Sequence, residues 1–86
     1  MPRAYRFTLG DRIYSHSLDL VAALTQATFS REKSRALETA SDRVNSLRIL
    51  LRLAKDLRLV SFDSYTYATG LLGEIGRMIG GWRKSQ

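Results

Sequence analysis

The sequence contains no cysteine, one histidine and one proline among its 86 residues. Without cysteine the chain has neither a disulfide framework nor a thiolate metal site. Pro2 lies at the start of the chain, so proline does not interrupt any helix that follows. No apolar run approaches the roughly 20 residues of a membrane span, and the first ten residues lack the apolar core of a signal peptide. We therefore expect a cytoplasmic protein that does not contact a membrane.

The composition is that of one small folded domain, residues 1–86, with 44% hydrophobic and 26% charged residues. A chain of this length buries only about 60–65% of the surface that it exposes when unfolded, so association with a partner is expected. The net charge is +6 and the pI is about 10.3. This excess of basic residues favours a polyanionic partner, although many small basic proteins use such charge only to stay in solution.

Apolar residues recur at helical spacing in three segments, and strand-like alternation is not found. The first helix is predicted to run from about Leu9 to Phe29, with Thr8 as its cap. The second is predicted from about Arg31 to Leu59. Ser61 is the expected N-cap of the third helix, which continues to the end of the chain. The predicted fold class is all-α.

Five glycines lie between Gly70 and Trp82, and each glycine inside a helix costs roughly 0.5–1 kcal/mol against alanine. The apolar spacing nevertheless continues through them, which predicts a helix rather than a loop. A phosphate-binding loop is disfavoured because no strand precedes the glycines and no Gly-Lys-Ser/Thr follows them. A row of glycines on one face would let another backbone approach closely, so leucine there is expected to overfill the packing. The predicted helix-packing and oligomer residues are Gly73, Gly76, Gly80 and Trp82. The pair Gly80-Gly81 is expected to mark a frayed end or a C-cap.

Residues for catalysis or metal binding do not converge in the sequence. His16 falls in the apolar stripe of the first predicted helix, and a core or boundary histidine is favoured over a metal ligand because no other ligand is spaced near it. The carboxylates are scattered, and Arg52 with Asp56 forms one expected i,i+4 pair. Catalytic, cofactor-binding and metal-binding residues are therefore predicted to be absent, and the protein is predicted not to be an enzyme.

The second predicted helix carries a basic stripe. Arg48, Arg52 and Lys55 fall within about 60° of one another on a helical projection, with Arg58 just to one side. One interpretation is a solvated face whose long side chains cover the edge of the helix. The other is contact with a polyanion, which is favoured because few acidic residues share the same arc. The candidate nucleic-acid-binding residues are Arg48, Arg52, Lys55 and Arg58.

Three blocks of the sequence resemble, in their order, a known family. They are PRAYRFTLGDRI (Pro2–Ile13), LRILLRLAKDLRLVSFDSY (Leu47–Tyr65) and LLGEIGRMIGGWRKS (Leu71–Ser85). Together they resemble the Avd family, the accessory variability determinant proteins of diversity-generating retroelements. The resemblance covers most of the chain, and its second and third blocks are the more specific ones.

This resemblance implies an up-down helical bundle of the four-helix type that assembles as a homo-oligomer, with a pentamer as the implied number of copies. It also implies a non-enzymatic protein that works with a reverse transcriptase and a template RNA in mutagenic retrohoming. By the same analogy, the basic residues of the second helix contact nucleic acid or the reverse transcriptase. The family's bundle has a helix before the Pro-Arg segment, so three helices are predicted here and the N-terminal helix is expected to be absent.

A second hypothesis does not involve nucleic acid. The three predicted helices have more apolar surface than they can bury among themselves, which predicts an exposed apolar groove and self-association. In this hypothesis the chain is a homo-oligomerising helical interaction module, and its basic face is only a solvated surface.

Overall fold

The computed structural model describes the backbone of residues 3–85 and the side chains of residues 8–85. It contains three helices in chain order: α1 (Arg3–Phe29), α2 (Lys33–Asp56) and α3 (Phe62–Lys84). The described part of the chain has no strand, which confirms the predicted all-α class.

The helix boundaries differ from the predicted ones at two of the three starts. α1 begins at Arg3, so Thr8 lies inside the helix and its prediction as a cap is wrong. α2 begins at Lys33 rather than Arg31. The prediction for α3 is confirmed, because the Ser61 hydroxyl accepts a hydrogen bond from the Ser64 backbone N–H at 3.1 Å. This bond satisfies one of the unpaired amides at the helix start.

α2 was predicted to reach Leu59 but ends at Asp56, because the chain reverses there through a left-handed residue. The Leu59 N–H donates to the Ala54 carbonyl at 2.8 Å, and the Arg58 N–H donates to the Lys55 carbonyl at 2.9 Å. This pair of bonds is a Schellman motif, in which the residue after the cap adopts a positive φ. Arg58 has a φ of 60°, so an arginine occupies a position where glycine is usual.

α2 lies between the other two helices and packs against both, while no Cα of α1 lies within 8 Å of one in α3 across the described residues. The resulting body is elongated, 45 × 21 × 13 Å. The core is a single cluster of buried residues from all three helices: Leu20, Ala23, Ala27, Ala36, Leu37, Ala40, Val44, Leu47, Leu72 and Ile79.

A polar contact fixes α1 on α2 at the border of this core. The Arg43 guanidinium lies 3.3 Å from His16 Nδ1 and, through Nε, 3.6 Å from an oxygen of Asp19. His16 is half-buried, as expected for a boundary histidine. One side chain of α2 thus contacts two consecutive turns of α1.

The glycines of α3 all lie within the helix, as predicted from the continuing apolar spacing, and none has a positive φ. The expectation that Gly80-Gly81 ends the helix is wrong, because α3 continues to Lys84. A Cβ at Gly73 or Gly80 would meet nothing within 4 Å. Within the described chain these two glycines therefore do not serve a close approach of helices, and their role in an oligomer remains a prediction.

Replacing Arg58 by glycine should stabilise the fold. Glycine adopts a φ of 60° without the steric cost of a side chain, so we expect the free energy of unfolding to rise by about 0.5–1 kcal/mol. Arg52→Gly is the matched control, since the same change inside α2 should lower it by about 1 kcal/mol. Chemical denaturation measures both, and a loss of stability in Arg58→Gly would contradict the proposed strain at this cap.

Replacing Gly73 by alanine should also stabilise the protein, by about 0.5–1 kcal/mol, because the new methyl group enters open space and alanine favours helix. This outcome is opposite in sign to the overfilling expected from the sequence. Thermal unfolding followed by circular dichroism measures it. A lower melting temperature would show that another chain packs on Gly73 in solution.

Candidate functional site

Three of the four predicted basic residues, Arg48, Arg52 and Lys55, lie along the edge of α2 that faces α3. Arg48 and Arg52 are one helical turn apart, and both are exposed. Neither side chain forms a salt bridge to any described residue. The i,i+4 pair expected between Arg52 and Asp56 is not formed, because Asp56 instead lies 3.4 Å from Lys55 Nζ. The charges of the two arginines are therefore available to a ligand.

Arg48 reaches across to α3. Its Nη2 atom lies 3.2 Å from the position that a Cβ would take at Gly76. The absence of a side chain at Gly76 thus leaves room for the guanidinium against the third helix. This contact gives one of the predicted packing glycines a role within the monomer, in which it accommodates a charged side chain rather than a backbone.

Lys55 is less available than the two arginines. Its ammonium lies 5.0 Å from the centroid of the Tyr65 ring, within the range of a cation–π contact, and 3.4 Å from a carboxylate oxygen of Asp56. The side chain is half-buried between α2 and the first turn of α3. Lys55 therefore links the two helices, and an anion would have to compete with two existing partners.

Arg58 lies beyond the end of α2, in the left-handed position of the cap. It is exposed but does not continue the helical row of the other three basic residues. The structure thus brings Arg48, Arg52 and Lys55 onto one edge and places Arg58 at its end, on the connection to α3.

Arg77 of α3 also belongs to this edge, although the sequence pattern did not associate it with the basic residues of α2. Arg77 lines a groove of about 360 Å³ between α2 and α3 together with Arg48. From the sequence, Arg77 grouped with the basic residues at the end of the chain. Only the antiparallel pairing of the two helices, which places Gly76 opposite Arg48, brings the two arginines together. The remaining lining residues are Ser41, Val44, Asn45, Gly73 and Gly76.

Trp82 and Gly80 lie near the other end of α3, away from this groove. Trp82 is 41% exposed and lines a cavity of about 270 Å³ beside Ala27 of α1 and Leu37 of α2. Gly80 is exposed. The indole therefore closes the end of the bundle where the three helices come together, while part of its surface remains open to a further chain.

The described residues contain no cluster of three or more histidine or carboxylate side chains able to hold a metal ion. No described helix combines the length and the apolar composition that crossing a membrane requires. The feature that distinguishes the surface is thus the arginine-lined edge between α2 and α3.

The fold and this edge define a small, basic, all-α bundle protein. A family model described as bAvd-like matches residues 1–86, and the chain belongs to the bAvd-like family. The match confirms the resemblance to Avd proteins, an accessory and non-catalytic kind of protein. No curated protein and no solved structure gives a match.

Proposed function

We propose that this protein is a non-enzymatic accessory factor that binds nucleic acid and assists a reverse transcriptase in mutagenic retrohoming. The membership in the bAvd-like family supports the accessory role. The template RNA and the reverse transcriptase are partners that the resemblance to Avd proteins implies.

The proposal of nucleic-acid binding rests on one observation, a set of arginines without salt-bridge partners on one edge of the bundle. Arg48, Arg52 and Arg77 are exposed, and none forms a salt bridge to a described residue. Acids lie one helical turn from two of these arginines, Asp56 from Arg52 and Glu74 from Arg77, but neither pair forms a salt bridge. Concentrated positive charge without such pairing attracts phosphates at long range and holds them through charge-assisted hydrogen bonds.

The edge is also long enough to contact more than one phosphate. Arg48 and Lys55 are seven residues apart on α2, a distance of roughly 10 Å along the helix axis. Contacts of this kind position a strand without distinguishing its bases. We therefore expect weak sequence preference and a strong dependence on salt.

Replacing Arg48, Arg52 and Lys55 together with glutamine should weaken binding to a structured RNA while leaving the helix content unchanged. Glutamine keeps part of each apolar stem and a similar helix propensity but removes three charges. The slope of log affinity against log salt should decrease by about 0.7–0.9 for each phosphate that the variant no longer binds. Fluorescence anisotropy at several salt concentrations measures the slope.

The matched control replaces Arg31, Lys33 and Arg35 with glutamine, which removes the same charge from exposed positions at the other end of α2. This variant should retain most of the salt slope. Equal reductions of the salt slope in the two triple variants would show that binding depends only on net charge and that the α2–α3 edge is not the site.

A second candidate function, homo-oligomerisation through helix pairing, is favoured by the outer face of α1. This helix has large apolar side chains outside the core as well as inside it, and Phe29 is 84% exposed. A helix that is apolar on more than one side is normally buried on more than one side. The exposed apolar side chains of α1 are Tyr14, Leu18, Val21 and Phe29.

The total accessible surface supports the same candidate. The chain exposes 6390 Å², whereas a compact monomer of its mass, 9.8 kDa, exposes about 5200 Å². The excess of about 1200 Å² exceeds the roughly 800 Å² that one partner buries in a standard interface. Oligomerisation and nucleic-acid binding use different faces, so both functions can belong to one protein.

Replacing Leu18 and Val21 with glutamine should reduce the oligomer to smaller species without unfolding α1, because both side chains are exposed in the monomer. Ile49→Gln is the control, since Ile49 is also exposed but lies on α2. Analytical ultracentrifugation at micromolar concentration measures the change. A parent protein that sediments as a monomer would rule out this candidate.

A further inference from the structure

We propose that the seam between α2 and α3 holds two adjacent phosphate sites with Arg48 between them. The inference rests on the proposed function for its ligand, RNA, and specifies where and how one strand of that RNA is held. The proposed site differs from the basic stripe of α2 because it also includes residues of α3. Among these are glycines of α3, whose lack of a side chain leaves the groove accessible.

The first site is the groove of about 360 Å³ described above. Arg48 of α2 and Arg77 of α3 contribute guanidinium groups from the two helices, and neither is paired with an acid among the described residues. Ser41 and Asn45 add a hydroxyl and an amide on the α2 side. No carboxylate of the described residues lines the groove. Every polar side chain around it can donate a hydrogen bond, and a ligand that only accepts hydrogen bonds is the complement of such a set.

The second site adjoins the first along the seam. A shallow groove of about 330 Å³ is lined by Arg52 and Thr69, by the apolar side chains of Ile49 and Tyr65, and also by Arg48, which both grooves share. Arg48 and Arg52 are one helical turn apart, about 6 Å along the axis. This separation is comparable to that of neighbouring phosphates along a nucleic-acid strand. Three guanidinium groups in two adjoining grooves, those of Arg52, Arg48 and Arg77, fit a repeating polyanion better than a single carboxylate on a protein surface.

The glycines keep this seam open. Gly73 and Gly76 line the first groove, and a Cβ at Gly73 would meet nothing within 4 Å. Helical side chains lean toward the N-terminus of their helix, so a side chain at position 73 would point toward Thr69 and enter the seam between the two sites. The propensity cost of glycine is thereby offset by access of a strand to the guanidinium groups.

The first test blocks the seam without changing its charge. In Gly73→Leu the new side chain should occupy the space of the phosphates, and a fluorescently labelled 20-nucleotide poly(U) RNA should bind roughly tenfold more weakly or worse, as expected when charge-assisted hydrogen bonds cannot form. Gly70→Leu is the control: its Cβ is equally free of neighbours, and its side chain leans toward Thr66, away from the seam. Both changes raise helix propensity, so both variants should fold.

The second test removes the paired arginines. Arg48→Gln with Arg77→Gln should lower the salt slope by about 0.7 for each phosphate that is no longer bound, whereas Arg31→Gln with Arg35→Gln should not. Weaker RNA binding in Gly73→Leu and in the Arg48/Arg77 variant, with both controls near the parent, is the expected result. Full affinity in Gly73→Leu, or equal reductions of the slope in the two arginine pairs, would overturn the proposal even if the protein binds RNA.

An NMR titration with inorganic phosphate at constant ionic strength tests this proposal independently of the proposed function. The Nε–H resonances of Arg48 and Arg77 and the side-chain amide of Asn45 should shift in the NMR spectrum, and less so in Gly73→Leu. Shifts with phosphate but no binding of either poly(U) or the structured RNA would retain the seam as a phosphate site and refute the nucleic-acid function. Binding of poly(U) without any response of these resonances, to RNA or to phosphate, would refute the seam alone.

Discussion

The arrangement of this protein depends on the apolar face of α2, because α1 and α3 have no backbone approach to each other in the described chain. Leu37, Ala40 and Val44 supply that face at helical spacing, and all three are buried. Small residues such as Ala36 and Ala40 allow the neighbouring helices to pack closely against it. A change that disrupts this face would separate both of the other helices at once, since neither has a second described partner.

The central position of α2 gives its two sides different polar contacts. One side of α2 packs against α1, where Arg43 engages His16 and Asp19. The opposite side faces α3, and there Arg48 and Arg52 keep their charges unpaired among the described residues. Exposed large apolar side chains lie on the outer face of α1, and others lie on α2 and α3, among them Ile49, Tyr67 and Met78. One small bundle thus has room for contact with a polyanion and for contact with further copies of itself.

The helix-propensity cost of two glycines in α3, Gly73 and Gly76, is explained by the groove that they line with the neighbouring helix α2. Glycine in the middle of a helix is unfavourable, and the periodicity of the sequence shows only that the helix continues through it. Gly76 lies under the Arg48 guanidinium, and Gly73 opens the groove that Arg48 and Arg77 line. The alternative that another backbone packs on this row is not realised within the described monomer, and it remains a prediction for an oligomer.

The all-α class, the three helices, the Ser61 cap and the continuation of α3 through its glycines could all be predicted from the sequence, because they follow from local spacing and capping chemistry. The sequence did not determine that α2 stops at Asp56, since an arginine in the left-handed position of Arg58 leaves no local signal where glycine is the usual one. The sequence also does not show that Arg77 lies beside Arg48 or that Lys55 contacts Tyr65, because these contacts join residues of different helices. Only the antiparallel register of α2 and α3, which packing of the core selects, decides which side chains share a surface.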